Sequence, residues 1–322
     1  MVGSCAARRA CSYRGLHSQN ASSVGGFCEH AGMRKLVVGS QALANGALTE
    51  HDLRRWYDRM FRDIYWPKGC EPTLLDRVDG AWLRSGRKGV VAGVAASALH
   101  GAQWVDDDIP VELIWDNTRP PPGIIARDER LDHDEITTVS CISVTTSART
   151  AYDLGRHLPR SEAIARLDAL MRATPFSMDE VLVLAQRHRR ARGLKQLRAV
   201  LPFVDGGAAS PQETRLRLLF IDAGFPRPTT QIPVVDGRGR LVRPLDMGWE
   251  DFMVAAEYDG EHHRTNRKAY VKDMRALAKL QRLGWIVIRV IKEDRDEDII
   301  DRAYRALIAR GWDGQLHPPS SL

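Results

Sequence analysis

No stretch of the sequence approaches the roughly 18 consecutive apolar residues that a membrane-spanning helix requires. The chain also has no Cys-x-x-Cys pair and no histidine at metal-ligand spacing from a cysteine, so a structural zinc site is not expected. The first 32 residues lack the apolar core of a secretory signal. These absences favour a cytoplasmic protein with reduced thiols and no membrane partner. The cysteines are Cys5, Cys11, Cys28, Cys70 and Cys141.

The chain has 322 residues, of which 43% are hydrophobic and 27% are charged, as in ordinary globular domains. This length allows two domains and a small third one. A formal net charge of +6 permits a polyanionic partner without requiring one. We expect residues 1–32 to be disordered or to precede the true start, 33–72 to form a winged-helix-like module, 73–203 an α+β middle domain, and 204–322 an α/β domain.

The module at 33–72 shows the signals of a helix followed by a β-ribbon. In "LTEHDLRRWYDR", Thr49 is placed to cap a helix, and "MFRDIYWPKG" is typical of a ribbon with a turn at residues 67–69. Arg54 and Arg55 could meet DNA phosphates from this helix. The same arginines fit a solvated helix face equally well.

The middle region alternates strand and helix patterns. We expect a helix over residues 89–101 and strands over 110–117, 123–127 and 136–146, followed by capped helices. The run "RHRRARGLKQLR" at 187–198 has six Lys and Arg residues and no acid. It fits a solvated helix end or a surface that faces phosphate.

The C-terminal region gives the clearest pattern. After a linker at 204–210, Ser210 and Glu213 form the start signal of a helix, and an Asp-Gly turn at 236–237 predicts a hairpin. The apolar run at 252–256 predicts a strand that is buried on both faces. The predicted order is α-β-β-β-α-β-α, which indicates an α/β sheet with helices on both faces.

Acidic residues mark the ends of two of these strands. Asp246 ends the second hairpin strand, and Glu257 and Asp259 end the next strand on one face, since side chains alternate along a strand. Pairing through a turn at 248–251 would bring Asp246 near Glu257. Converging carboxylates repel one another unless a cation lies between them, and their oxygens suit Mg²⁺ or Mn²⁺. Such an ion can activate water for attack on phosphorus.

Several separated motifs in this region carry a family resemblance: "SPQETRLRLL", "AGFPRPTTQ", "PLDMGW", "AAEYDGEHHR", "YVKDMRAL" and "LGWIVIRV". Residues 210–311 resemble domain of unknown function 559, whose fold is restriction-endonuclease-like and related to the very-short-patch repair endonucleases. The resemblance implies metal binding by Asp246 and Glu257. Asp259 is a further candidate ligand because it lies on the same face of its strand as Glu257. The resemblance also implies a supporting role for Glu213, which the capping pattern explains equally well.

One position departs from the general signature of this fold, an acid on one strand and Asp/Glu-x-Lys on the next. Asp259 stands where that lysine is expected, so its positive charge must come from elsewhere. The resemblance points to His263, with His262 as a weaker choice, or to a cation on the following helix, Lys272, Arg275 or Lys279. Arg264, Lys272 and Arg275 are also the DNA contacts that we expect in this region.

The N-terminal part resembles a second family more loosely. "GVAASALHG" and "SVTTSARTAYDLGR" are similar to segments of AbiEi-type antitoxins, which regulate transcription in abortive-infection systems. Two functions follow from the sequence. One is a metal-dependent DNA nuclease with an N-terminal DNA-locating region. The other is a regulator or antitoxin whose nuclease fold is inactive and whose partner is a cognate toxin. No pattern indicates an oligomeric state.

Overall fold

The computed structural model describes residues 36–260 and 267–317. Within these two ranges, three β-sheets are flanked by helices, and the sheets are either antiparallel or mixed. The fold class is therefore mixed α/β, as predicted. None of the helices in the described ranges combines the length and the apolar character that crossing a membrane requires.

The first described elements form a small antiparallel sheet with two short helices. They are β1 (Val37–Val38), α1 (Gly39–Ala44), α2 (Glu50–Trp56), β2 (Tyr57–Phe61) and β3 (Ile64–Pro67), in the sheet order β1–β3–β2. Thr49 caps α2 as predicted. The predicted ribbon is the β2–β3 hairpin, whose two strands are joined by a turn at residues 62–63, and the predicted turn at 67–69 follows β3. Asp63 takes a φ of 68° there, and its carboxylate accepts hydrogen bonds from Ser40. The winged-helix interpretation of this module stays a prediction.

The middle region contains a five-stranded mixed sheet. Its strands are β4 (Val90–Ala92), β5 (Val111–Ile114), β6 (Ile124–Arg127), β7 (Ile136–Val139) and β8 (Ile142–Thr145), in the order β6–β5–β4–β8–β7. The helices of this region are α3 (Leu74–Arg84), α4 (Gly93–Leu99), α5 (Ser147–His157), α6 (Arg160–Ala173), α7 (Met178–Arg187) and α8 (Leu194–Val200). Helix α5 is buried along most of its length, and α4, α6, α7 and α8 pack around it.

Two sequence predictions in this region are wrong. Residues 89–101 are not one helix, because the first of them form β4, which pairs with β5 and β8 at the centre of the sheet. Gly93 then turns the chain into α4 with a φ of +60°. Residues 136–146 are not one strand but the β7–β8 hairpin, in which Ser140 and Cys141 both have positive φ values.

The C-terminal elements follow the predicted order. They are α9 (Pro211–Asp222), β9 (Thr229–Val235), β10 (Leu241–Trp249), β11 (Val254–Tyr258), α10 (Arg267–Arg282), β12 (Ile286–Val290) and α11 (Asp296–Ile308). The sheet order is β12–β11–β10–β9, antiparallel except for the parallel pair β11–β12. Helices α9 and α11 share a core with Trp249, Val254 and Ile288, whereas Leu280 of α10 packs with Ala255 in a second core. Helices therefore cover both faces, as predicted.

The predicted linker at 204–210 is a fixed connection. The buried carboxylate of Asp168 on α6 accepts hydrogen bonds from the Asp205 backbone N–H at 2.7 Å and from the Thr214 hydroxyl at 2.8 Å. It also binds the fully buried Arg217 of α9 at 2.7 Å. Burial raises the pKa of Asp168 to about 6, although Arg217 opposes this shift. These contacts hold the middle and C-terminal regions together, and the described residues from Leu36 onward form one compact unit.

Candidate functional site

The register of β10 and β11 places two predicted acids side by side. Met247 lies opposite Ala256 in this antiparallel pair, so the preceding residue of β10, Asp246, lies next to Glu257. The backbone N–H of Tyr258 donates a hydrogen bond to the Asp246 carboxylate at 3.1 Å. Tyr258 packs towards the core shared by α9 and α11, whereas Glu257 faces α10, as the alternation along the strand requires.

Glu213 reaches the same neighbourhood from the first turn of α9. Its carboxylate accepts hydrogen bonds from the Ala209 N–H at 2.9 Å and the Ser210 hydroxyl at 3.1 Å. The expected capping arrangement is thus modified, because the glutamate binds the N–H of Ala209 and not that of Ser210. Burial, and after it the charge of Asp246, raises the pKa of Glu213. Glu213 therefore holds the start of α9 and also interacts electrostatically with Asp246.

Glu257 is the most perturbed acid of the group. Only 6% of the residue is exposed, and burial raises its pKa from the ordinary 4.5 to about 7. Arg243 opposes this shift, and the negative charges of Asp246 and Asp273 add to it. A carboxyl that keeps its proton near neutral pH beside other acids lies where additional positive charge would stabilise the ionised form.

Two arginines that the sequence patterns did not indicate connect these acids. Arg243 of β10 binds Glu257 and, at 2.7 Å, Asp273 of α10. Arg289 of β12 lies opposite Glu257 in the parallel register and binds Asp259 at 2.7 Å and Asp273 at 3.3 Å. We call Arg243, Arg289 and Asp273 the arginine bridge. A long side chain on each flanking strand thus reaches across to β11, and only the sheet order and register reveal this contact.

The cations that the sequence did indicate are placed differently. Lys279 binds Asp236 of the β9–β10 hairpin at 2.8 Å. Lys272 and Arg275 are exposed on α10, and in the described part of the chain neither makes an ion pair with the acids. His262, His263 and Arg264 lie outside the described residues. Within the described ranges, the positive charge next to Glu257 and Asp259 comes from Arg243 and Arg289 of the arginine bridge.

Metal binding was predicted at Asp246, Glu257 and Asp259. Among the described residues, groups whose ligand atoms all lie within 4.8 Å of one another occur elsewhere, in the middle region. Neither the predicted trio nor the set of Asp246, Glu257 and Glu213 is among these groups. Arg289 pairs with Asp259, and Arg243 pairs with Glu257. Asp246 and Glu257 are neighbours in the strand register, and the charge of Asp246 acts on Glu213. These three acids offer oxygen donors of the kind that a hard divalent cation prefers, and the pKa values of Glu257 and Glu213 are raised.

The acids of the two middle-region groups already form ion pairs with arginine side chains. They are Glu129, Asp153 and His157, and Asp132, Glu135 and His188. Arg149, whose side chain is 1% exposed, binds Glu129, Glu135 and Asp153. Arg156 binds Glu129 and Asp153, and Arg187 binds Glu135. These are buried ion-pair networks that join β6, β7 and the helical layer.

The predicted DNA contacts on α2 are exposed. Arg54 forms an exposed ion pair with Glu50 at 3.2 Å, and Arg55 lies 4.9 Å above the ring of Trp56. An exposed pair of this kind contributes little to stability, so it leaves Arg54 free to exchange Glu50 for another anion.

Comparison with known proteins identifies relatives without assigning an activity. An uncharacterized protein of Mycobacterium tuberculosis, found in strains H37Rv and CDC 1551, is 30% identical over 224 residues, which is 70% of this chain and 82% of the relative. The chain belongs to the same family as this mycobacterial protein. The aligned length exceeds that of the 204–322 region alone, so the family shares more than the C-terminal sheet. No protein-family model and no solved structure matches the chain.

Proposed function

We propose that the chain is a metal-dependent nuclease that hydrolyses phosphodiester bonds in DNA. The observation that carries the proposal is the Asp246–Glu257 pair on the neighbouring strands β10 and β11, in which Asp246 is half-buried and Glu257 is buried with its pKa raised to about 7. Active sites are where burial and like charges are combined to produce such shifts. The resemblance to domain of unknown function 559 and to the restriction-endonuclease-like fold assigns a metal site to the same two residues.

In this proposal Asp246 and Glu257 hold Mg²⁺ or Mn²⁺, with Glu213 as the supporting acid. When bound, the ion supplies an activated water and charge stabilisation at phosphorus. The protein holds the acids in place through the Tyr258 N–H on Asp246 and the Ala209 N–H on Glu213. Asp259, bound to Arg289, serves mainly to position that arginine.

Arg243 takes the place of the missing lysine in this scheme. Its guanidinium lies against Glu257, at the strand end where a scissile phosphate would approach. A fixed positive charge at this position can stabilise the negative charge that develops on the phosphate oxygens. His263 stays a prediction for proton transfer.

A second function is favoured by the arginine bridge itself. Arg243 and Arg289 already pair with Glu257 and Asp259. In a regulator or antitoxin that keeps the fold only for DNA or toxin binding, such internal pairs would replace the metal. The N-terminal resemblance to AbiEi-type antitoxins supports this alternative, in which no cleavage takes place.

Nicking of supercoiled plasmid in Mg²⁺ or Mn²⁺ separates the two functions. The wild type should nick the plasmid, Glu257→Ala and Asp246→Asn should not, and Glu250→Ala, which changes an exposed acid at the β10–β11 connection, should match the wild type. Equal nicking by wild type and Glu257→Ala would identify a contaminating nuclease and end the nuclease proposal. DNA binding without nicking in either metal would favour the regulator.

A further inference from the structure

A dense group of exposed positive charges follows helix α7. The first two residues of the basic run have carboxylate partners, since Arg187 binds Asp134 and Glu135 and His188 contacts Glu135. The five cations after them are exposed, and within the described residues none of the five has an acidic partner. We call these five residues the α8 basic surface: Arg189, Arg190, Arg192, Lys195 and Arg198.

The backbone beneath this surface is held firmly. Leu194, Leu197 and Val200 form the buried face of α8 against α5, which leaves residues 192, 195 and 198 on the outside at three-residue spacing. Gly193 has a φ of +81°, and a Cβ there would lie 2.4 Å from the Arg156 carbonyl oxygen. The Arg156 guanidinium in turn donates a hydrogen bond to the Arg192 carbonyl at 3.0 Å.

The electrostatic repulsion among these five cations indicates that the surface binds an anion. Like charges on neighbouring turns repel one another, and ordinary surfaces relieve this by mixing acids among the bases. Within the described residues, no acid is paired with a cation of the α8 basic surface. By contrast, Arg54, Arg295 and Arg305 elsewhere each have an acidic partner three or four residues away. Four of the five cations are arginines, whose planar guanidinium matches two phosphate oxygens at once.

We propose that the α8 basic surface binds the phosphate backbone of duplex DNA, as a second contact region separate from the acidic site. The choice of DNA as the anion rests on the proposed function. Lys195 and Arg198 lie three residues apart on α8, a spacing that places Cβ atoms about 5–6 Å apart, so these two cations can reach neighbouring phosphates. Because these contacts go to phosphate, the surface adds affinity but reads no sequence. Its rigid backbone keeps the ordering cost of binding low.

The salt dependence of DNA binding tests the proposal. Fluorescence anisotropy with a labelled duplex, in EDTA so that cleavage cannot interfere, gives the affinity of the full chain from 50 to 200 mM salt. The triple variant Arg192→Gln/Lys195→Gln/Arg198→Gln should bind more weakly than the wild type. Its slope of log affinity against log salt should be shallower by about 2.7, since each phosphate contact contributes about 0.9. Over this salt range the wild type should then lose about 40-fold more affinity than the variant.

A matched control removes the same number of positive charges elsewhere. Arg215→Gln/Arg295→Gln/Arg305→Gln changes three exposed arginines that pair with Asp296, Asp298 and Asp301. This control should keep most of the wild-type slope. If both triple variants lose the same slope, net charge and not the α8 basic surface is responsible, and the proposal is wrong. A loss seen with duplex RNA but not with duplex DNA would also overturn it.

The result is independent of catalysis. If the α8 variant binds DNA as the wild type does while the wild type nicks plasmid, the surface proposal fails and the nuclease proposal stands. If the variant loses affinity and no nicking occurs, the surface proposal stands and the regulator is favoured. Circular dichroism and the thermal midpoint of each variant confirm that the exposed substitutions leave the fold intact.

Discussion

Glu257→Gln should make the stability of the protein less dependent on pH. Burial, Asp246 and Asp273 raise the pKa of Glu257 in the folded state to about 7, and the unfolded chain restores the ordinary value of 4.5. The folded state therefore binds a proton that the unfolded state has already released. The stability that this proton contributes is fully present below pH 4.5 and is lost as the pH rises through 7. Glutamine has a similar shape and does not titrate.

The size of the effect follows from the shift. One pKa unit corresponds to 1.36 kcal/mol, so a shift from 4.5 to about 7 amounts to about 3 kcal/mol for this nearly buried side chain. Between pH 4.5 and pH 8, the wild type should lose about 3 kcal/mol of unfolding free energy that Glu257→Gln retains. The other titrating groups are common to both proteins and cancel in the difference.

Urea unfolding in EDTA, followed by tryptophan fluorescence, measures this difference. Trp249, Trp285 and Trp312 are buried in the C-terminal cores and report on the region that contains the site. Glu250→Gln is the control, since it removes an exposed carboxylate at the β10–β11 connection, away from Glu257, and should follow the wild type. Profiles of Glu257→Gln and wild type that stay parallel across the pH range would refute the assignment of a protonated, buried Glu257.

The same assay tests the metal site without relying on activity. At pH 8, Mg²⁺ or Mn²⁺ at 100 times its dissociation constant should stabilise the wild type by about 2.7 kcal/mol. Glu257→Gln should lose most of this gain because one of the ligand carboxylates is gone. An equal gain in both proteins would mean that the ion binds elsewhere in the chain.

Three further changes test the surroundings of the site and the surface. Arg217→Met should cost about 3–5 kcal/mol at pH 8, because it leaves the Asp168 carboxylate buried without its cation; the loss should shrink at pH 5, as urea unfolding would reveal. Arg243→Gln should raise the pKa of Glu257 further, since Arg243 lowers it, and should move the pH-dependent loss of stability to higher pH in the same measurement. Gly193→Ala should cost about 1–3 kcal/mol through its left-handed backbone and the contact with the Arg156 carbonyl, measured as a lower thermal midpoint.

The C-terminal fold was predictable because its signals are local and agree with one another. Ser210 caps α9 with Pro211 in its first turn, the Asp-Gly pair at 236–237 opens a hairpin, and the apolar run at 252–256 leads into a central strand. Each element therefore has a start or stop that the sequence states directly.

The predictions failed where a short segment takes its structure from its neighbours. Val90–Ala92 is a three-residue strand inside an alanine-rich run, and pairing with β5 and β8 overrides the helical pattern. Ser140 and Cys141 form the turn of a hairpin without glycine or asparagine to signal it. Arg243 and Arg289 could not be assigned to the site from periodicity, because their partners lie on other elements and depend on register.

The arginine bridge supplies positive charge at a site where Asp259 stands in place of the expected lysine, but it does not neutralise the acids. When all groups are ionised, five acids (Glu213, Asp246, Glu257, Asp259 and Asp273) face two arginines, which leaves the site three charges negative. Burial is the main reason why Glu257 keeps its proton despite Arg243, and the charges of Asp246 and Asp273 add to it. A DNA phosphate would be repelled by such a site unless a divalent cation arrived with it or before it. Among the described residues, the five acids and the two arginines therefore offer DNA no net attraction without a cation, and a separate basic surface would bring DNA to the protein under either function. The α8 basic surface has the charge for that role under both functions, whereas the acids of the site have a role only in the nuclease.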